Sequence, residues 1–320
     1  MNIFSYKKVN VMALMGIILF FTGCAKNSII YEIGNNTDGT NEGGESKPDE
    51  QALVTFDASI ESRNMTRSMS PMKKGVQSRL FAYQMNEGMS MVTTAFAEGL
   101  YETSSPGVLN GVNGYKMYLS NGIYNFYAVS DNFSTIPPRF SSGKSEPLFN
   151  GIDYLWWNNN QRDITSSQIN IPIVYLHLAS QVVVDISEGQ DIKLDRVLSA
   201  MITPPEPGES MDLTTGIIPP ATTYGKADKM GVNGFTVQYI MLPLKTSTPM
   251  TFTVDVLADG ETAPRTYTVQ IPLPDGELKS GDSYMFNAII DGNSISFSSV
   301  NVKEWTEVDE LGNPLYPIQK

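Results

Sequence analysis

Apolar residues along this chain recur with a period of two. Ala52, Val54, Phe56, Ala58 and Ile60 take every second position against Leu53, Thr55, Asp57 and Ser59. Successive side chains of a strand point to opposite faces, so the run predicts a strand with one wholly apolar face. Tyr115–Leu119 and Ile123–Val129 flank Ser120-Asn121-Gly122, and Asn-Gly supplies the positive φ angles of a tight turn, which predicts a hairpin. Phe235, Val237, Tyr239 and Met241 form another alternating set, and Phe252, Val254 and Val256 lead through Asp259-Gly260 to Tyr267, Val269, Ile271 and Leu273, a second hairpin. Tyr284, Phe286, Ala288 and Ile290 continue through Asp291-Gly292-Asn293 into Ile295 and Phe297. The phase then slips at Ser298-Ser299 before Val300 and Val302 resume it, the signature of a bulge. The unbroken apolar stretch Ile169–Ile186 reads as one or two strands buried on both faces, near a junction of two domains. No helical period of any length competes, so the expectation is an all-β chain with antiparallel pairing and few short helices.

The N-terminal end is different. Lys7 and Lys8 precede the apolar run Val11–Phe21, which closes on Phe21-Thr22-Gly23-Cys24. Its eleven residues cover roughly 16 Å as a helix, about half of a ~30 Å hydrocarbon core. The pattern predicts an export signal over 1–23 and lipidation of Cys24, which tethers the mature chain to a membrane surface. Gly34–Glu50 (GNNTDGTNEGGESKPDE) carries no apolar side chain larger than proline and predicts a flexible tether over 24–50. The remainder suits two domains of about 100–150 residues, taken as 51–166 and 167–320.

Composition narrows the chemistry. The formal charge is −12 and becomes −14 once Lys7 and Lys8 leave with the signal. Nucleic acid is therefore a poor partner, since phosphate binding needs clustered Lys and Arg. Cys24 is the sole cysteine and His177 the sole histidine, which excludes disulfides, thiolate metal sites and histidine-based triads within one chain. Carboxylate-pair hydrolysis stays open, but among 34 Asp and Glu residues nothing singles out a pair. The sequence implies no metal, no cofactor and no catalytic residue. His177, inside the apolar Tyr175-Leu176-His177-Leu178, reads as a hydrogen-bonded core residue. Asp153-Tyr154-Leu155-Trp156-Trp157 is the densest aromatic cluster; neighbouring residues of a strand face opposite ways, so core and surface placement of the two tryptophans competes with a sugar-stacking platform. Arg63, Arg67 and Arg79 stand in and beyond a polar segment that follows the first strand, where a trypsin-like protease would cut an exposed loop.

Several segments together resemble the fimbrillin-like lipoproteins of Bacteroidales, the type V pilin superfamily. They are Val54–Ile60 followed by Arg63 and Arg67, Gly122–Ala128, Asp153–Trp156, Leu176–Val184, and the close from Leu278–Gly281 through Tyr284, Phe286, Ile295 and Val300 to Trp305. The resemblance implies two tandem β-sandwich domains of transthyretin-like topology, export as an outer-membrane lipoprotein, and assembly into a cell-surface fimbria with a role in adhesion. It further implies that a trypsin-like protease cuts after Arg67, or after Arg63, and that the strand carrying Ala52, Val54, Phe56, Ala58 and Ile60 leaves with the lipidated leader. The groove then accepts a strand from another fimbrial subunit. Burying Val54, Phe56 and Ile60 is worth about 1.5–3 kcal/mol each, against a domain stability of about 5–15 kcal/mol, so losing the strand brings a subunit close to unfolding and leaves a sheet edge to be filled. Leu315, Tyr316 and Ile318 form a candidate donor tail, although Pro314 and Pro317 each remove a ladder hydrogen bond. The short stretch after Trp305 favours a tip or anchor subunit over a stalk subunit, and a tip would meet a host or bacterial surface ligand. The alternative is a surface glycan-binding lipoprotein that uses Tyr154, Trp156 and Trp157 as its platform.

Overall fold

The computed structural model of the chain describes residues 51–61, 69–86, 94–303 and 305. All of them belong to one packed unit, Ser46–Lys320. Its first eleven strands are β1 (Gln51–Glu61), β2 (Met69–Pro71), β3 (Gln77–Gln84), β4 (Ala97–Ser105), β5 (Val108–Gly111), β6 (Met117–Ser120), β7 (Gly122–Ser130), β8 (Phe140–Ser141), β9 (Lys144–Ser145), β10 (Leu155–Ile164) and β11 (Gln168–His177). All but the small β8–β9 pair join one nine-stranded sheet in the order β11-β10-β7-β3-β4-β5-β1-β2, with β6 also on β1. Because β1 pairs with β11 as well, the order returns on itself: the sheet folds over its own core and β1 closes the seam. Inside lie Phe56, Leu80, Tyr101, Phe126, Trp157 and Tyr175 with their neighbours.

The second group begins after His177, with β12 (Ser180–Glu188), β13 (Leu194–Ile202), β14 (Asp228–Lys229), β15 (Gly231–Asn233), β16 (Thr236–Met241), β17 (Leu244–Lys245), β18 (Met250–Ala258), β19 (Arg265–Ile271), β20 (Glu277–Leu278), β21 (Ser283–Asp291) and β22 (Ser294–Lys303). A five-stranded sheet, β15-β16-β12-β21-β22, faces a four-stranded one, β14-β13-β18-β19. Alternate residues of both sheets, among them Val184, Val254, Phe252, Tyr239 and Phe286, form their common core, as expected of a β-sandwich. A third cluster, with Phe81, Tyr127, Trp156, Met211, Leu213 and Leu242, joins the outer face of β3 and β7 to the loops and strand ends of the second group.

The fold is all-β, and one of the two expected hairpins forms, together with one between the last two alternating runs. β18 and β19 pair with Val254 opposite Tyr267, and β21 and β22 with Asp291 opposite Ser294. The bulge is present: Asn287 pairs with Ser299 and Ala288 with Phe297, leaving Ser298 over. The hairpin expected around Asn121 does not form, since β6 pairs with β1 and β7 with β3 and β10. The chain turns a corner at Asn121 and each strand takes other neighbours, because the core face of each is satisfied on a different part of the sheet. Pairing is also not purely antiparallel: β1 with β11 and β12 with β21 run parallel. Ile169–Ile186 divides into β11 and β12, in different sheets, and Ser180–Val184 of β12 is buried on both faces.

Candidate functional site

The strand that closes the seam is also the one whose pattern is clearest in the sequence. Ala52, Val54, Phe56, Ala58 and Ile60 are each at most 5 % exposed. Phe56 sits deepest in aromatic company, edge-on to Tyr101 at 5.4 Å and to Phe126 at 6.3 Å between ring centroids. Apolar burial alone would hold β1 to one neighbour, yet its backbone is paired along both edges. On one side β11 runs beside it in unbroken register, from Leu53 opposite Gln168 to Ile60 opposite Tyr175. On the other side three short strands share the work: β6 along Gln51–Val54, β5 at Phe56 and Asp57, and β2 along Ser59–Glu61. Loop bonds fill the gaps, with the Ala58 amide donating to the Gly107 carbonyl at 2.7 Å and the Ala58 carbonyl accepting from the Met72 amide at 3.0 Å. The outward face is polar and links β1 to β11 again, as the Asn170 amide donates to Asp57 at 2.6 Å and the Ser59 hydroxyl to the Ile173 carbonyl at 3.2 Å.

Removing β1 thus unpairs two edges at once and uncovers five apolar sockets. Glu61 pairs with Met69, so the connection between β1 and β2 is confined to residues 62–68. Arg63 and Arg67, the expected processing sites, fall in that connection and lie outside the described residues, as do Cys24 and the candidate donor residues Leu315, Tyr316 and Ile318.

The other singled-out side chains are architectural. His177 is 2 % exposed; its Nδ1 lies 2.8 Å from Asp153 Oδ1, while Asp153 Oδ2 accepts from the Asn132 amide at 2.8 Å. Trp305 stacks on the His177 ring, with 4.2 Å between centroids and planes 18° apart. Trp156 and Trp157 do face opposite ways, but both ways are interior, with each ring 8 % exposed and assigned to a different core cluster. The Trp156 indole donates to the Leu213 carbonyl at 2.7 Å, and the Tyr154 hydroxyl, on a ring 2 % exposed, accepts from the Phe149 amide at 3.1 Å. The sugar-stacking platform is therefore corrected: a third core, invisible in strand periodicity, covers the face on which Trp156 would have been open. Arg79 is a β3 residue, held by Glu98 at 2.8 Å and by the Pro137 carbonyl at 3.3 Å.

Two features escaped the sequence. One is β11 as the parallel partner of β1, since no turn signal links strands so far apart in the chain. The other is Asp131, 8 % exposed at the position just after the end of β7. One of its oxygens accepts from Thr135 at 3.2 Å and the other is buried without a partner among the described residues. Burial, with Glu146 and Asp153 adding to it, pushes this carboxyl up to about 7 despite the pull of the Thr135 bond and Arg79. Both Asp131 and Asp153 are enclosed, so neither is placed to meet a substrate from solvent.

Among curated proteins none matches this chain in sequence. Solved structures share its fold. A candidate cell adhesion protein of Bacteroides uniformis is 15 % identical, with a TM-score of 0.59 over 81 % of this chain and 100 % of the other. One from Bacteroides ovatus gives 14 % and 0.59 over 80 % and 99 %, and one from Bacteroides fragilis 15 % and 0.54 over 80 % and 99 %. At such identities the likeness is one of fold. The sequence profile of the family described as fimbrillin-like matches residues 66–305, a segment that starts just after β1. Because that profile spans 240 of the 320 residues, the protein belongs to the fimbrillin-like family.

Proposed function

We propose that this protein is a fimbrial subunit with a role in adhesion, exported as an outer-membrane lipoprotein through Cys24 and made assembly-competent when a trypsin-like protease cuts after Arg67 or Arg63. A cut there separates β1, the tether and the lipid from the rest of the fold. The groove left behind takes a strand from another subunit. The observation that carries this reading is β1 itself: one strand, paired along both edges and filling five sockets of the core, whose C-terminal end leads directly into the arginine-bearing connection. Backbone pairing gives such an exchange its affinity and the alternate sockets give it specificity. The role is structural, and the buried Tyr154, Trp156 and Trp157 remove the platform on which the glycan-binding alternative rested. A tip or anchor place in the fibre is favoured over a stalk place; an anchor escapes the cut and keeps its lipid.

Limited trypsin treatment of the purified chain, followed by mass spectrometry and size measurement, tests this. Cutting after Arg63 or Arg67 is expected to release a fragment that contains β1 and to yield subunits that associate with a fimbrial partner. A cut chain that keeps β1 bound through dilution and associates with nothing would overturn it.

A further inference from the structure

A cleft of about 650 Å³ that shares no residue with the seam lies where three segments meet. One carries Phe149 and Asn150, between β9 and β10; the others are residues 204–207, after β13, and 224–227, before β14. Small-molecule sites usually enclose about 300–1,000 Å³, so the size is that of a ligand pocket. Its walls are set in advance. The Gly225 amide donates to the Pro204 carbonyl at 2.8 Å and the Glu206 amide to the Thr223 carbonyl at 2.9 Å, which ties the two later segments together. Asn150 ties them to the first: its side-chain amide donates to the Pro205 carbonyl at 2.8 Å, and its oxygen accepts from the Leu242 amide at 2.9 Å. A β-carbon on Gly225 would lie 3.1 Å from the Pro205 carbonyl oxygen, so the segments approach as closely as glycine permits. Pro204, Pro205 and Pro207 have fixed φ angles. Little ordering entropy is left for a ligand to offset.

The lining joins ring surface to oxygen acceptors. Phe149 is 50 % exposed, the most exposed aromatic residue among the described ones. Its amide is held by the Tyr154 hydroxyl at 3.1 Å, and Tyr154 is itself buried, so the ring is mounted on the core. Tyr224 adds a second ring, fixed by its hydroxyl on the Thr248 carbonyl at 2.7 Å. Asp228 also lines the cleft, with one oxygen accepting from the Tyr239 hydroxyl at 2.6 Å and the other from the Lys229 amide at 2.7 Å. Each carboxylate oxygen can accept a further bond. Glu206 and Lys226, both exposed, complete the polar part.

These groups decide the charge of a ligand. Two carboxylates against one ammonium disfavour a phosphate, a sulfate or an acidic sugar, and the overall charge of −12 acts in the same sense. A cation is disfavoured as well, because two donors already engage Asp228 and Lys226 lines the same cleft. A neutral ligand remains, with an apolar face for the rings and hydroxyl donors for the carboxylates. A pyranose has both, since its C–H bonds make one face apolar and its hydroxyls surround the edge. We infer that this cleft binds a neutral carbohydrate, with Phe149 as the stacking platform and Glu206 and Asp228 as hydroxyl acceptors. The site gives the proposed adhesion role a class of ligand and stands whether or not β1 is exchanged.

The test uses the intact, uncut chain. Saturation-transfer NMR and titration calorimetry are run at millimolar concentration with maltotriose, cellotriose, lactose and diacetylchitobiose, beside sialyllactose and a proline decapeptide. At least one of the four neutral sugars should bind. Phe149→Ala should weaken that binding about tenfold and Glu206→Gln several-fold, and both variants should keep the native melting temperature because the side chains are exposed. Glu206→Gln keeps the fold and the ring, so its loss of affinity reads the acceptor role even if Phe149→Ala proves less stable. Binding left unchanged by both variants would put the sugar elsewhere and overturn the inference. Sialyllactose bound in preference to lactose, the proline peptide bound in place of any sugar, or no binding of the four neutral sugars would overturn it too. None of these outcomes bears on the release of β1, which trypsin treatment reads separately.

Discussion

Replacing Phe56 by alanine is the most direct measure of how far β1 is part of the core. The ring is 2 % exposed and meets Tyr101 and Phe126 edge-on, so the substitution removes a full aromatic side chain from a packed interior. Truncations of this kind cost about 3–5 kcal/mol, a large share of the roughly 5–15 kcal/mol that holds a domain folded. Urea unfolding followed by circular dichroism should show stability falling by that amount, as a lower midpoint at an unchanged slope. Val108→Ala, on the exposed side of the same seam and 41 % exposed before substitution, should stay within about 0.5 kcal/mol. The effect should be larger in kinetic form once the connection is cut. With tenfold for each ~1.4 kcal/mol, the about 3–5 kcal/mol lost means that β1 carrying Phe56→Ala should leave about one hundred to several thousand times faster than the native strand. A loss below about 1 kcal/mol, or equal release rates, would show that the Phe56 socket does not hold the strand in its groove.

Two further outcomes follow from the buried polar groups. Asp131 keeps its proton to about 7 in the fold and releases it near 4 when unfolded, so the native state binds more protons between those values. Stability should therefore fall as pH rises from about 4 to about 7 and level off above, by about 4 kcal/mol for a shift of some three units. Asp131→Asn should flatten that slope and be more stable than the native chain at pH 8, and an unchanged slope in thermal melts across pH would refute the assignment. Trp156→Phe removes the 2.7 Å bond to the Leu213 carbonyl and leaves a buried acceptor unpaired, which should cost about 1–3 kcal/mol while β1 is released at its native rate; a neutral effect in urea unfolding would contradict the enclosed geometry.

The strands were legible in proportion to how one-sided their burial is. β1, β18, β19 and β21 each bury alternate residues, and each stands out as a period-two run. The Ser298 bulge was legible for the same reason, since a slipped register moves every later side chain to the other face. Partner choice was not. Met117–Ser120 and Gly122–Ser130 look like a hairpin over Asn121, yet they pair with β1 and with β3 and β10. Alternation says which way side chains point and nothing about which edge meets which. The tryptophan pair shows the same limit: opposite faces were foreseen, but a second layer of packing over Trp156 was not.

By itself the sequence determined the all-β class, the five apolar positions of β1 and the arginines that follow the first strand, and it is the whole ground for the proposed export signal and lipidation at Cys24. Those rest on local properties, namely side-chain hydrophobicity, spacing and the chemistry of a lone thiol. Tertiary structure alone decided that β1 closes a sheet on itself, parallel to a strand more than a hundred residues later and patched on its other edge by three short ones. It also decided that Trp305 stacks on the buried His177. Such facts depend on which distant backbone edges find one another, and they are settled only when the whole sheet has to satisfy its hydrogen bonds at once.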